Sequence, residues 1–180
     1  TSAATVESCA RVTLDDTYDA TVVATDDGLA LLAPTETLAP IAFAAFDSRL
    51  PRLQADVTAA GYAYDGRLGT PTLNFGTMQE HAGLNGEADV LRLNMSTRPS
   101  EAGAPVMATT GGVIGMLATL DTGSRALPED VAFAYDMEKL ATFLSGNGVS
   151  IAAAQSDTDL SSEELISQAR DMTVLVSCWN

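Results

Sequence analysis

Pro99-Ser100-Glu101-Ala102-Gly103-Ala104-Pro105-Val106 is a run of small residues held between two prolines, and it opens into a strand. Residues 106–108 and 113–120 read as short apolar strands, with Gly111-Gly112 turning the chain between them. The same pattern extends outward in both directions. Upstream, strands are predicted over residues 9–14, 18–24, 29–33, 55–62, 72–78 and 90–95; downstream, one is predicted over 131–135. Turn chemistry separates them, as in Asp15-Asp16-Thr17 and Asp26-Asp27-Gly28. Short strands with turns at regular intervals indicate an all-β sandwich or barrel. Long helices do not alternate with the strands, so a parallel α/β sheet is disfavoured.

Two short helices are predicted near the C-terminus. Asp136 can cap the first, whose apolar positions Met137, Leu140, Ala141 and Leu144 fall at helical spacing before Gly146 stops it. Ser161-Ser162-Glu163-Glu164 is a capping box for the second, with Leu160 and Leu165 placed to form a hydrophobic staple and Leu165, Ala169 and Met172 as its buried stripe. Residues 150–160, small and acidic, read as a linker. Residues 173–179 are a strand by composition. A terminal apolar strand must dock on a sheet or leave an aggregation-prone edge, and the N-terminal lobe is the expected dock.

The chain has 180 residues, of which 46% are hydrophobic, with seven prolines and 14 glycines; this is the composition of a globular domain. Its 24 acids outnumber nine bases, giving a net charge of −15. Phosphate binding requires a basic footprint, so nucleic acid is excluded as a ligand class, and an anionic membrane surface with it. The acidity is that of a solubilising surface, the sharper alternative being a basic protein partner. No run reaches the ~20 apolar residues of a membrane helix, so no membrane insertion is expected. Thr1 in place of an initiator methionine indicates a mature or processed chain.

The two cysteines, Cys9 and Cys178, are either buried thiols or a disulfide, the favoured reading, which would imply an oxidising compartment. The only histidine, His81, sits in a loop as a bystander. With one histidine and no EF-hand spacing, the sequence gives no ground for a metal or cofactor; Asp15, Asp16, Asp19, Asp26 and Asp27 read as solvated turns.

Several motifs occur in a fixed order. The proline-bracketed loop resembles the nucleophile loop P-G-D-S-G-G-P-V of trypsin-like serine peptidases, the HtrA-type secreted bacterial enzymes included. Ser2-Ala3-Ala4-Thr5-Val6 resembles the T-A-A-H-V segment that carries the catalytic histidine, and Gly28-Leu29-Ala30-Leu31-Leu32 resembles D-L-A-L-L, which carries the aspartate. Gly61-Tyr62, Gly76-Thr77-Met78, Gly112-Val113-Ile114-Gly115-Met116 and residues 130–134 resemble later strands of the same family. The resemblance covers residues 1–150.

The resemblance implies two antiparallel six-stranded-type barrels, the first over residues 1–46 and reduced, the second over 52–136, followed by a helix over 137–146. It also implies that residues 161–180 return a helix and a strand to the first barrel. Such domains open with a strand and hairpin before the T-A-A-H segment; here the C-terminal strand is expected to fill the opening strand's slot, with Cys178 bonded to Cys9. Completion of the first barrel by another chain is the accompanying expectation. In the family register the nucleophile, base and carboxylate positions read Ala102, Thr5 and Gly28, and none can perform its role. The resemblance therefore implies a pseudoprotease, periplasmic or secreted, binding a peptide or protein partner. Ser100 and Ala102 would supply the oxyanion-hole N–H groups. Ser100, Glu101, Ile114, Gly115, Met116 and Leu117 are the expected peptide cleft, with the strand containing Ile114 open to β-augmentation. Alternatives are a structural fragment whose missing hairpin comes from a partner, and an endopeptidase with an unrecognised nucleophile such as Ser100.

Overall fold

A computed structural model describes residues 1–119 and 127–180. The strands are β1 (Arg11–Leu14), β2 (Tyr18–Asp26), β3 (Leu29–Pro34), β4 (Ala45–Phe46), β5 (Asp56–Gly61), β6 (Thr72–Glu80), β7 (Val90–Asn94), β8 (Pro105–Ala108), β9 (Val113–Ala118), β10 (Val131–Asp136), β11 (Ala152–Ala153) and β12 (Val176–Trp179). The helices are α1 (Met137–Gly146) and α2 (Ser162–Met172). Of the expected strand over 113–120, Leu120 lies outside the described residues.

Six strands close into a barrel in the order β10-β7-β6-β5-β8-β9, with β9 pairing back onto β10 through Gly115↔Asp136 to Ala118↔Phe133. The interior is apolar and made of small and medium side chains: Val57, Ala59, Met78, Leu91, Leu93, Val106, Ile114 and Ala134 are all essentially inaccessible. These residues alternate along their strands, which is what the period of two requires of a barrel wall.

The first lobe is different. It is an antiparallel four-stranded sheet, β12-β1-β2-β3, and it does not close among the described residues. The C-terminal strand does return as expected: Val12 pairs with Cys178 and Leu14 with Val176. Cys9 and Cys178 are joined by a disulfide across 169 positions of sequence, with Cα atoms 5.3 Å apart. Of the two expected barrels the second is closed, and the first, expected to be reduced, is an open sheet among the described residues, with the C-terminal strand in its expected place. Four strands are too few to wrap around side chains of ordinary size, because closure fixes strand number and tilt together.

Both helices follow their sequence signals. The Asp136 carboxylate accepts from the Lys139 backbone N–H at 2.8 Å, and Leu140 packs with Leu29, Met116, Phe133 and Tyr135, bridging the lobes. The Ser161 hydroxyl accepts from the Glu164 N–H while the Glu164 carboxylate accepts from the Ser161 N–H, closing the capping box. Leu165 and Ala169 then bury against Ala60, Met107 and Val113. Residues 150–160 are not a free linker. β11 pairs in parallel with β4, Asp157 meets Arg49, the Thr109 hydroxyl donates to Asp159, and the Leu160 N–H donates to the Thr109 carbonyl. The acids that made the segment look solvated are the groups that fasten it.

Candidate functional site

A single 3-10 turn, Pro99–Glu101, shapes the proline-bracketed loop. Proline at its first position sets φ without sacrificing a needed N–H. The Glu101 side chain turns inward and is 1% exposed. Its carboxylate accepts from the Arg98 backbone N–H and from Asn74 Nδ2, both at 2.7 Å. Glu101→Ala is expected to cost about 2–3 kcal/mol in a urea unfolding experiment, because both donors are then left without a partner. Gly103 follows with φ of +93°, and a Cβ there would lie 2.7 Å from the Ser2 nitrogen. The loop is thereby pressed against the first residues of the chain, and only glycine allows it.

This packing places Ala102 and Thr5 on one groove of about 690 Å³, together with Ser100, Tyr62, Thr119 and Trp179. At these two positions the groove presents a methyl group and a threonine hydroxyl, where the family register has its nucleophile and base; Asp16 and Asp65 line the groove as well. The Ala102 N–H donates to the Pro99 carbonyl at 3.2 Å, closing the turn. An N–H spent inside its own loop is not aimed at a substrate oxyanion. Of the two expected oxyanion donors, Ala102 is therefore engaged, while Ser100 is an exposed residue of the turn.

Gly28 lies outside this groove, in the β2–β3 turn, with φ of +83°. Its carbonyl accepts from the Ala3 N–H at 2.9 Å, which ties the turn to the Thr5 segment. A Cβ at Gly28 would overlap the Tyr135 hydroxyl. Tyr135, on β10, is buried, and burial pushes its phenol above the ordinary tyrosine range. Lys139 Nζ lies 4.2 Å above the Tyr135 ring and donates to Asp27 and Asp89 at 2.5 and 2.8 Å. The space a side chain at position 28 would enter is filled by the Tyr135 ring, over which Lys139 sits.

The Lys139 hydrogen bond holds the Asp89 carboxyl below the usual range. Burial opposes the charge on Lys139, but hydrogen bonds to Asp27 and Asp89 outweigh it and raise the ammonium. A lowered carboxyl contributes stability above its unfolded value and loses it as pH falls through the folded one; a raised amine loses its contribution as pH climbs through its folded value. The clamp is at full strength between about pH 5 and pH 10. Asp89→Asn is expected to reduce the loss of urea resistance on acidification below that window, by less than about 1 kcal/mol since Asp89 is half exposed.

The remaining cleft residues need correction. Ile114, Gly115, Met116 and Leu117 are buried inside the wall of the closed barrel. Both edges of their strand are taken, by β8 through Pro105↔Met116 and by β10 through Met116↔Tyr135. Gly115, Met116 and Leu117 have no free backbone for a peptide, Ile114 is fully buried, and Glu101 faces inward. Ser100 alone of the six expected cleft residues is exposed. Tyr62 and Trp179 were not singled out as groove residues from sequence; only the docked C-terminal strand brings Trp179 there, where its Nε1 donates to the Thr13 hydroxyl at 2.8 Å. His81 is exposed, with Nε2 2.8 Å from the Pro51 carbonyl, and does not line the groove.

The family model of the trypsin-like peptidase domain matches residues 2–116. The chain belongs to the trypsin-like peptidase family. The uncharacterized protein y4bJ of Sinorhizobium fredii (strain NBRC 101917 / NGR234) is 27% identical over 134 residues, which are 71% of this chain and 21% of that protein. Among solved structures, the trypsin-like domain is similar to Rv3671c of M. tuberculosis H37Rv. A serine-to-alanine mutant in the inactive form superposes with a TM-score of 0.57 at 23% identity, covering 73% of this chain and 65% of that one. The active form of the protease gives 0.57 at 20% identity, covering 76% and 62%. These identities establish the shared fold. The trypsin-like domain spans about a fifth of the curated relative and under two thirds of these two solved chains.

Proposed function

We propose that this trypsin-like domain is a pseudoprotease, catalytically inactive, that holds a peptide or protein segment outside the cytoplasm. The observation that carries the reading is the groove itself. In the register of the family motifs the reacting positions are Thr5, Gly28 and Ala102. Two of them, Thr5 and Ala102, face one groove and put neither a base nor a nucleophile at those positions, and the third has its space filled by Tyr135. Hydrolysis through a triad needs all three roles together. A binding role needs only a concave surface with anchoring side chains, which Tyr62 and Trp179 provide. The Cys9–Cys178 disulfide supports an oxidising, extracytoplasmic setting, and no described helix is long and apolar enough to cross a membrane.

Calorimetric titration with unfolded polypeptides is the direct test. Binding is expected, and Trp179→Ala is expected to weaken it at least about tenfold, as removal of an aromatic anchor does. Absence of any binding heat across extended polypeptides would remove the support for a peptide-holding role. A second reading, a structural piece completed by added strands, is favoured by the open first sheet.

A further inference from the structure

Two turns remote in sequence meet the C-terminal segment in the wall of the groove beside Ala102, and both are fastened to it. The β1–β2 turn is tied twice at one residue: the Asp15 N–H donates to the Leu175 carbonyl, and the Asp15 carboxylate accepts from the Leu175 N–H, each at 2.8 Å. Asp16, the next residue, accepts from the Ser177 hydroxyl at 2.6 Å through one of its two carboxylate oxygens. The turn after β5, Ala63–Gly66, sits on Leu175, where a Cβ at Gly66 would lie 2.6 Å from the leucine side chain. Asp65 precedes that glycine and lines the groove. Trp179 has its polar edge satisfied by Thr13 and is still 45% exposed. Two carboxylates, Asp16 and Asp65, and two aromatic side chains, Tyr62 and Trp179, therefore line one concavity on anchored backbone.

The charge of this concavity is one-sided. No lysine, arginine or histidine lines it among the described residues. Arg98, beside the lining residue Pro99, is committed elsewhere: its guanidinium lies 4.4 Å over the Tyr64 ring and donates to the Tyr64 hydroxyl at 2.8 Å. We propose that the groove takes an arginine side chain of a basic, extended polypeptide segment. This rests on the peptide-holding reading and gives the chemistry of what is held. A guanidinium donates in a planar fork to a carboxylate and stacks on an aromatic face, so one side chain satisfies both kinds of lining residue. A lysine ammonium is a strongly hydrated point charge and matches the rings less well, and an acidic or purely apolar segment leaves the aspartates uncompensated. The net charge of −15 draws a basic segment in and repels an acidic one. The contacts lie on the two turns and on β12, away from β9, whose edges are both paired.

Trp179 is the only tryptophan of the chain, so its emission reports on this groove alone. The test is a titration, by calorimetry and by Trp179 emission, with capped pentapeptides Ala-Ala-X-Ala-Ala in which X is arginine, its neutral isostere citrulline, or phenylalanine. The arginine peptide is expected to bind at least about tenfold more tightly than the citrulline peptide at low salt, to shift the emission, and to lose that margin as salt is raised. Asp65→Asn and Asp16→Asn are expected to shrink the arginine-to-citrulline ratio and to leave citrulline affinity unchanged. Both positions have φ near +55°, at 53° and 55°, which asparagine adopts readily. The comparison of peptides on the unmodified protein decides the matter even if a variant fails to fold. Equal affinity for the three peptides, or tightest binding of phenylalanine, overturns the inference and leaves the peptide-holding reading standing. Binding heat with unchanged Trp179 emission also overturns it, by placing the peptide elsewhere. Absence of binding by all three overturns the inference together with the reading it rests on.

Discussion

The triple variant Thr5→His, Gly28→Asp, Ala102→Ser is expected to show no peptide turnover above the unmodified protein and to be less stable by about 3 kcal/mol or more. Restoring residue identities does not restore the site. An aspartate at position 28 must adopt φ near +83°, which costs an L-residue roughly 1–2 kcal/mol, and its Cβ must displace the Tyr135 hydroxyl, an overpacking penalty of about 1–3 kcal/mol. The Ala102 N–H stays bonded to Pro99, so a tetrahedral oxyanion at the new serine lacks a donor. Fluorogenic peptide hydrolysis and urea unfolding check the two halves. Adding Tyr135→Phe is expected to return part of the lost stability, since it removes the nearest overlapping atom. Ala102→Ser alone is expected to be inactive and close to neutral in stability, because the partly buried methyl borders the groove. Turnover in that single variant would show that another base serves position 102.

Loss of the disulfide is the second large effect. Cys9→Ser with Cys178→Ser is expected to lower stability by about 2–5 kcal/mol, the upper end coming from the chain-entropy estimate for a loop closed over 169 positions. The consequence is local as well as global. β12 is a four-residue edge strand paired with one neighbour, and outside the disulfide it is held by the β1 ladder, the Trp179 bond to Thr13, the Ser177 bond to Asp16 and the packing of Val176 on the Val6, Val12, Ala20 and Ala30 cluster. Reduction is therefore expected to release residues 173–180 before the closed barrel unfolds. Proteolysis of the reduced protein near Val174, followed by mass spectrometry, would detect this; simultaneous loss of β12 and of the barrel would contradict it.

Sequence carried the strands, both helix starts and the return of the C-terminal strand, because each is written locally. Period-two apolar patterns, Asp136, and the Ser161–Glu164 box are signals within a few residues. The family motifs placed Thr5 and Ala102 on the same groove. What the sequence could not carry depends on closure and distance. The burial of Ile114 to Leu117 on both edges follows from β9 meeting β10, a pairing that alternation alone does not specify. Tyr135 fills the space beside Gly28 from far along the chain, and a glycine in a turn gives no hint of what stands over it. β4 and β11 are two-residue parallel strands made of Ala and Phe, too short to show any period. The acidic segment 150–160 looked like a linker because its partners, Arg49 and Thr109, are remote in sequence.

Incubation of the purified protein with a fluorophosphonate probe, read by intact mass, bears most directly on the claim that a peptidase scaffold here lacks its reacting groups. With a methyl group at position 102 and a threonine where the family register has its base, the mass is expected to stay unchanged at probe excess. A stoichiometric adduct mapped to Ser100, or to any other serine of the groove, would contradict it.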